Sequence, residues 1–281
     1  MNRPTNLTVQ ALAELSDRTL THYNHHAQAF LAGTQDHDVS QNIKALLRFI
    51  EGAAPFAILD FGCGPGRDLK AFTALGHTAV GLDGAARFAD MARAYSGCEV
   101  WLQDFLALDL PAHRFDGVFA NASLFHVPSL ALPQVLSALH ATLKPRGVLF
   151  CSNPRGHNEE GWNRDRYGTY HDLPGWRRYM TEAGFAELLH YYRPPGLPID
   201  QQPWLASVWR RVKARVPAVG AQELVSGRNS CCRHRSAMPE CARQPYKNQT
   251  GVWAMDEPLE SVPVLTGLPA RRPTSTTGAR P

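Results

Sequence analysis

Several features are absent from this chain of 281 residues, and each absence removes a class of protein. No stretch approaches the roughly 18 consecutive apolar residues of a membrane span. The start, Met1 to Asn6, is polar and lacks an apolar h-region, so the expectation is a cytoplasmic protein without a secretory leader or membrane partner. Cysteine is sparse: six residues at irregular spacing cannot form a disulfide framework. His22, His25, His26 and His37 scatter round a helical pattern rather than converging, so no metal is expected. Charge is thin as well, at 19%. The net +4 lies in the tail, since residues 213–281 carry ten Lys/Arg against five Asp/Glu. Residues 1–212 are therefore near neutral and do not call for nucleic acid.

What is present centres on Phe56-Ala-Ile-Leu-Asp-Phe-Gly-Cys-Gly-Pro-Gly-Arg67. Phe56 to Leu59 is an apolar run that reads as a buried parallel strand, closed by Asp60. Gly62, Gly64 and Gly66 follow at alternate positions, and a helical pattern begins at Arg67. Strand, glycine turn and helix make the first half of a nucleotide-binding βαβ unit. The bland reading is a tight turn without a ligand, but three alternate glycines exceed what one turn needs. The dinucleotide spacing G-x-G-x-x-G is not met, because Arg67 stands where its third glycine belongs. About twenty residues on, Asp83 ends the next strand, where a carboxylate accepts two hydrogen bonds from a vicinal diol. Its bland reading is a helix N-cap.

The remaining pattern predicts helices over 10–33 and 39–50, then strands and helices in alternation. Strands are expected at 56–61, 78–82, 99–102, 115–120, 148–151, 186–192 and 204–211. Helices are expected at 67–75, 85–95, 131–143 and ending at 183. Residues 153–172 break the pattern with a polar and aromatic insertion, the mark of a functional loop. After residue 212 the chain carries eight prolines and five glycines with no sustained period, and disorder is expected there. Cys231, Cys232, His234 and Cys241 are weak zinc donors because their spacing is wrong. The abrupt change in composition suggests out-of-frame translation. The expected organisation is a helical cap over 1–50, a nucleotide-binding domain over 51–212, and a basic Pro-rich tail over 213–281.

The pattern Asp60-x-Gly62-x-Gly64-x-Gly66 resembles motif I of the class I S-adenosylmethionine (SAM) dependent methyltransferases, of the small-molecule type. Phe115-Asp-Gly-Val with Ala122-Ser-Leu-Phe-His-Val127, Leu143-Lys-Pro-Arg-Gly147, Glu182-Ala-Gly-Phe185, and Tyr23 with Thr34 extend the resemblance over roughly residues 20–211. It implies an α/β fold, a Rossmann-like sheet of seven mostly parallel strands with helices on both faces. The order would be 3-2-1-4-5-7-6 with strand 7 antiparallel. It also implies SAM as cofactor, a small-molecule acceptor, and a monomer or homodimer. Asp60, Gly62, Cys63, Gly64 and Gly66 would cradle SAM, and Asp83 with Gly84 would hold its ribose. Asp104 and Phe105 would meet the adenine, and Asn121 and Ala122 the methionine end. His126, Tyr23 and His171 are the candidate catalytic residues, Tyr23 equally readable as core packing and His126 as a structural histidine. Arg164, Arg166, Tyr167 and Tyr170 would line the acceptor, and two arginines among aromatics suit an acidic or planar molecule; a solvated loop is the bland alternative.

Departures narrow the family. Asn/Asp-Pro-Pro-aromatic is missing after Ala120, against adenine-N6 methylation of DNA. The Pro-Cys element of RNA cytosine-C5 enzymes is missing too, so Cys151 reads as a small buried hydrophobe. The acidic cluster of the Mg²⁺-dependent catechol-type enzymes is not evident. Competing readings are a SAM-binding protein without transferase activity, an NAD-linked oxidoreductase, and an RNA or protein methyltransferase. Arg67 opposes the oxidoreductase, and only the basic tail supports nucleic acid.

Overall fold

The computed structural model describes residues 8–212. The expectations placed on 213–281, including the zinc donors, lie outside the described residues.

The chain opens with α1 (Val9–Thr34) and α2 (Ser40–Leu47), then alternates: β1 (Ala57–Phe61), α3 (Arg67–Ala74), β2 (Thr78–Asp83), α4 (Ala86–Ser96), β3 (Glu99–Leu102) and β4 (Phe115–Asn121). α5 (Leu132–Thr142), β5 (Leu143–Pro154), β6 (Glu159–Asn163), β7 (Arg166–Tyr170), α6 (Leu173–Glu182), β8 (Phe185–Arg193) and β9 (Trp204–Arg211) complete it. The main sheet has seven strands in the order β3-β2-β1-β4-β5-β9-β8. β1 to β5 run parallel, and β9 is antiparallel to both its neighbours. This is the expected order, with two further strands intervening in the chain.

Those two strands correct the loop expected over 153–172. β6 and β7 form an antiparallel hairpin, with Trp162 paired to Tyr167 and Asn163 to Arg166. The left-handed residue that turns the chain is Arg164, at φ 54°, rather than a glycine. No glycine at the tip announced a turn, and the polar residues masked the strand period.

Alternate residues of β1 point to opposite faces of the sheet. Ile58 joins one core with Ile43, Leu46, Leu69 and Phe72 of α2 and α3. Leu59 and Phe61 join the other with Leu136, Leu139, Trp176 and Met180 of α5 and α6. Both faces are covered, which is why the central strands are apolar throughout. Cys151 lies in this core fully buried, and burial pushes its thiol up to about 12.

The register positions the site. Asp60 pairs with Gly81 on one side and Phe119 on the other. The carboxyl ends of β1, β2 and β4 therefore share one edge, at the point where strand order reverses between β1 and β4. Crevices for ligands form at such switch points.

Candidate functional site

The turn after β1 is built from left-handed glycines: Gly62 at φ 79°, Gly64 at 53° and Gly66 at 95°. The Gly62 and Cys63 N–H groups donate to the Leu82 carbonyl at 2.8 and 3.0 Å. The Gly64 N–H donates to Asp83 Oδ2 at 2.9 Å, and the Ala85 N–H to Oδ1 at 2.9 Å. Asp83 thus ties the loop to the start of α4. Its two oxygens offer about four lone-pair sites, more than these N–H groups fill, which leaves capacity for a ligand.

Burial raises the Asp83 carboxyl to about 6, against the lowering effect of the Ala85, Gly64 and Gly84 N–H groups. Asp60 is buried, with Oδ2 lacking a hydrogen-bond partner. Desolvation, with the charges of Asp68 and Asp83, holds it well above the usual carboxylate range, opposed by Arg67. Burial and the same carboxylates push the Cys63 thiol up, so it is no nucleophile. Three carboxylates round a desolvated glycine loop favour a ligand with a cationic group and disfavour a pyrophosphate.

The other expected contacts lie round this loop. Asp104 accepts from Ser16 Oγ at 2.7 Å and the Leu106 N–H at 2.9 Å. Phe105 stacks on Phe61 with centroids 4.2 Å apart. Ala122 is left-handed at φ 61°, and its N–H donates to Ser152. Asn121 accepts from Asn42 Nδ2 at 2.9 Å and donates to Asp68 at 3.4 Å. Tyr191 in turn donates to Asn42 Oδ1 at 2.8 Å. Asn42, Asp68 and Tyr191 were missed by the sequence reading, whereas α1 belongs to the helical cap expected over 1–50. Leu20 packs so tightly on Gly84 that an added Cβ would sit 2.8 Å from its methyl. Phe30 faces Gly64.

Tyr23 and His126 form a hydrogen-bonded pair, 2.7 Å from Oη to Nε2. His126 Nδ1 lies 2.7 Å from the Tyr167 carbonyl. A carbonyl only accepts, so Nδ1 carries the proton, Nε2 is the acceptor and the Tyr23 hydroxyl donates. Burial lowers His126 to about 4, with Arg166 and His22 acting in the same direction. Arg166 acts on the Tyr23 phenol by charge and by a hydrogen bond.

The hairpin carrying Arg166 is fastened from two sides. Arg18 of α1 pairs with Asp165 at 2.7 Å and lies over the Trp162 ring. The Tyr167 N–H donates to Thr19 Oγ1 at 3.0 Å, and the Ser129 N–H to Glu160. Tyr167 supplies its backbone rather than its phenol to the pair. Arg164 sits exposed in the hairpin turn, away from the acceptor wall expected for it. His171 packs on Trp176 and Tyr179 and lines a cavity of about 10 Å³ with Asn153 and Thr169, rather than joining Tyr23 and His126.

Comparison with known proteins decides what the crevice holds. Residues 58–147 match the family model described as "Methyltransferase domain". The malonyl-[acyl-carrier protein] O-methyltransferase of Salmonella typhimurium is 27% identical over 191 residues, 62% of this chain and 72% of that protein. The trans-aconitate 2-methyltransferase of an Azoarcus species is 34% identical over 106 residues, 36% of this chain and 40% of that protein. This chain carries a class I SAM-dependent methyltransferase domain. The fold agrees: the Burkholderia thailandensis 1,6-didemethyltoxoflavin-N1-methyltransferase superposes with a TM-score of 0.60 at 21% identity, over 75% of this chain and 93% of that one.

The residues of the methyltransferase fit SAM. The unpartnered Asp60 oxygen suits an ammonium, and Asp83 suits a ribose diol. Among the described residues, no helix is long and apolar enough to cross a membrane.

A pH dependence follows. Asp83 accepts from a diol best when ionised, and unliganded it titrates near 6. SAM affinity should therefore rise with pH, with Kd about tenfold larger at pH 5 than at pH 7. Calorimetry in buffers of different ionisation heat checks this by reporting the released proton. The stability effect has the opposite sense. A raised carboxyl stabilises the unliganded fold below about pH 4, and that contribution is lost as pH rises through about 6.

Proposed function

We propose that this methyltransferase acts on a small molecule seated between α1, the turn at Leu124–His126 and the β6–β7 hairpin. The observation that carries this reading is the continuous chain from the Tyr23 hydroxyl through His126 to the Tyr167 carbonyl. It sits at the carboxyl end of β4, beside the crevice assigned to the cofactor, and both side chains are only partly buried. Bound in that crevice, SAM supplies a methyl group made electrophilic by its sulfonium.

The protein's own residues do the rest. α1 and the hairpin exclude water, and aromatic rings of Tyr23, Phe30 and Phe88 make an apolar wall. The Tyr167 carbonyl fixes the His126 tautomer, so Nε2 accepts the Tyr23 proton and holds the phenol oxygen in one orientation beside the accepting atom. The relatives support a small acceptor: by their names they act on trans-aconitate, on didemethyltoxoflavin, and on a malonyl group borne by a carrier protein.

The test is to incubate the protein with methyl-labelled SAM and a cell extract, then separate small metabolites from protein and RNA. Label is expected in the small-molecule fraction; label in RNA or protein instead would overturn the reading. With an acceptor in hand, His126→Gln should lower kcat/KM by about tenfold, the worth of one buried hydrogen bond. The Kd for SAM should not change.

A further inference from the structure

We propose that the acceptor is a small carboxylic acid, and that Arg166 holds its carboxylate against the Tyr23–His126 pair. This rests on the acceptor site proposed above and adds the chemical class that the site takes.

Arg166 is the first residue of β7 and directly precedes Tyr167, whose carbonyl anchors His126. Its guanidinium also engages the Tyr23 phenol. One backbone step thus joins the cation to the histidine anchor. On the same face of β7, Tyr170 lies back along the strand: a Cβ added to Gly168 would stand 2.6 Å from the Tyr170 hydroxyl. Residues 166, 168 and 170 share a face. The absence of a side chain at 168 therefore lets the Tyr170 hydroxyl lie toward Arg166. Arginine, two phenols and a neutral imidazole surround one place.

Arg166 brings a positive charge to both phenols, opposed by Glu159 at Tyr170 and by Asp83 at Tyr23. The charged groups that act on His126 are Arg166 and His22. Arg166 acts on Tyr23 more strongly than Asp83 does, and Asp83 is committed to the cofactor loop. Asp165, next in the chain, is turned outward to Arg18. A guanidinium in a partly desolvated wall is the group best suited to a carboxylate, which it takes through two parallel hydrogen bonds.

The chemistry points the same way. An imidazole that titrates near 4 is a weak base at neutral pH and removes little of the barrier for an alcohol or an amine. A carboxylate needs no base. Its methylation forms one O–CH₃ bond and breaks the S–CH₃ bond of the sulfonium. It yields an ester and a neutral thioether, and no proton moves.

The experiment uses histidine-labelled protein saturated with S-adenosylhomocysteine, with the His126 resonances followed by NMR. Benzoate, trans-aconitate and, as the neutral counterpart, benzamide are titrated to millimolar concentration. At least one acid is expected to shift His126 saturably, and benzamide is not. Arg166→Gln should raise the Kd of that acid by about tenfold or more, while the Kd for S-adenosylhomocysteine by calorimetry stays unchanged. Arg166→Lys keeps the charge, should fall between the two, and serves in place of the glutamine variant if that one melts early. The proposal is overturned by three results: no response to either acid, an equal response to benzamide, or an acid Kd that Arg166→Gln leaves alone. Each leaves the methyltransferase reading intact. Failure of S-adenosylhomocysteine to bind would strike at the cofactor site instead.

Discussion

Asp83→Ala is expected to weaken SAM binding about 100-fold while leaving the fold in place. The loss has two parts. The diol gives up a charged acceptor, and hydrogen bonds to charged groups are worth about 1.5–3 kcal/mol each. The Gly64 and Ala85 N–H groups lose their common partner, so the loop is no longer tied to α4. Stability responds differently, because two effects oppose each other. Removing a buried carboxylate that titrates near 6 relieves its desolvation at pH 7, whereas two N–H groups are left without an acceptor. The midpoint of thermal unfolding should therefore move little while calorimetry loses the binding signal. Asp83→Asn sharpens the test. It keeps the shape but turns an amide N–H₂ toward backbone donors, so it should bind poorly and be less stable than the alanine variant. Unimpaired SAM binding by either variant would remove Asp83 from the ribose site.

The legibility of this site in the sequence follows chain distance. The glycine loop and Asp83 are separated by one helix, and their geometry is set by a local βαβ unit, so spacing alone locates them. The apolar runs mark the strands, and the family resemblance supplies their order. Partners far apart in the chain left no local trace. Ser16 meets Asp104 across 88 residues, Tyr23 meets His126 across 103, and Tyr191 meets Asn42 across 149. The family resemblance points to Tyr23 and to His126 separately, but nothing local says that they touch. Arg67 was read as a missing glycine; in the fold it grips Asp68 in two bonds and reaches the Thr34 carbonyl, fastening α1 to the loop. The hairpin stayed hidden because its left-handed residue is Arg164, a type with no preference for that region, held there by strand pairing on both sides.

Gly64 and Gly66 sit two residues apart in the loop, and their alanine variants should separate fold from ligand. Gly66 caps α3 at φ 95°, and a Cβ there would lie 2.8 Å from Ala92 Cα and 3.1 Å from the Ala92 carbonyl. The obstacle is the backbone of α4, which cannot rotate aside. Left-handed strain costs about 1–2 kcal/mol, and overpacking a further ~1–3 kcal/mol. Together they consume a large part of the roughly 5–15 kcal/mol that holds a domain. Gly66→Ala should therefore show an early denaturant midpoint and an early loss of near-UV circular dichroism. Gly64 also has a positive φ, 53°, but this falls in the small left-handed region that other residues enter, and the nearest atom to an added Cβ is Phe30 at 3.8 Å. Gly64→Ala should cost the fold only about 1 kcal/mol. Its methyl would instead stand between the loop and the Phe30 ring that covers it, on the side where backbone must approach the cofactor. The expected signature is a near-normal denaturation curve with a Kd for SAM raised about tenfold or more, against an unstable Gly66 variant. If Gly64→Ala binds SAM as the parent does, the face of the loop toward Phe30 is not the cofactor face, and α1 covers something else.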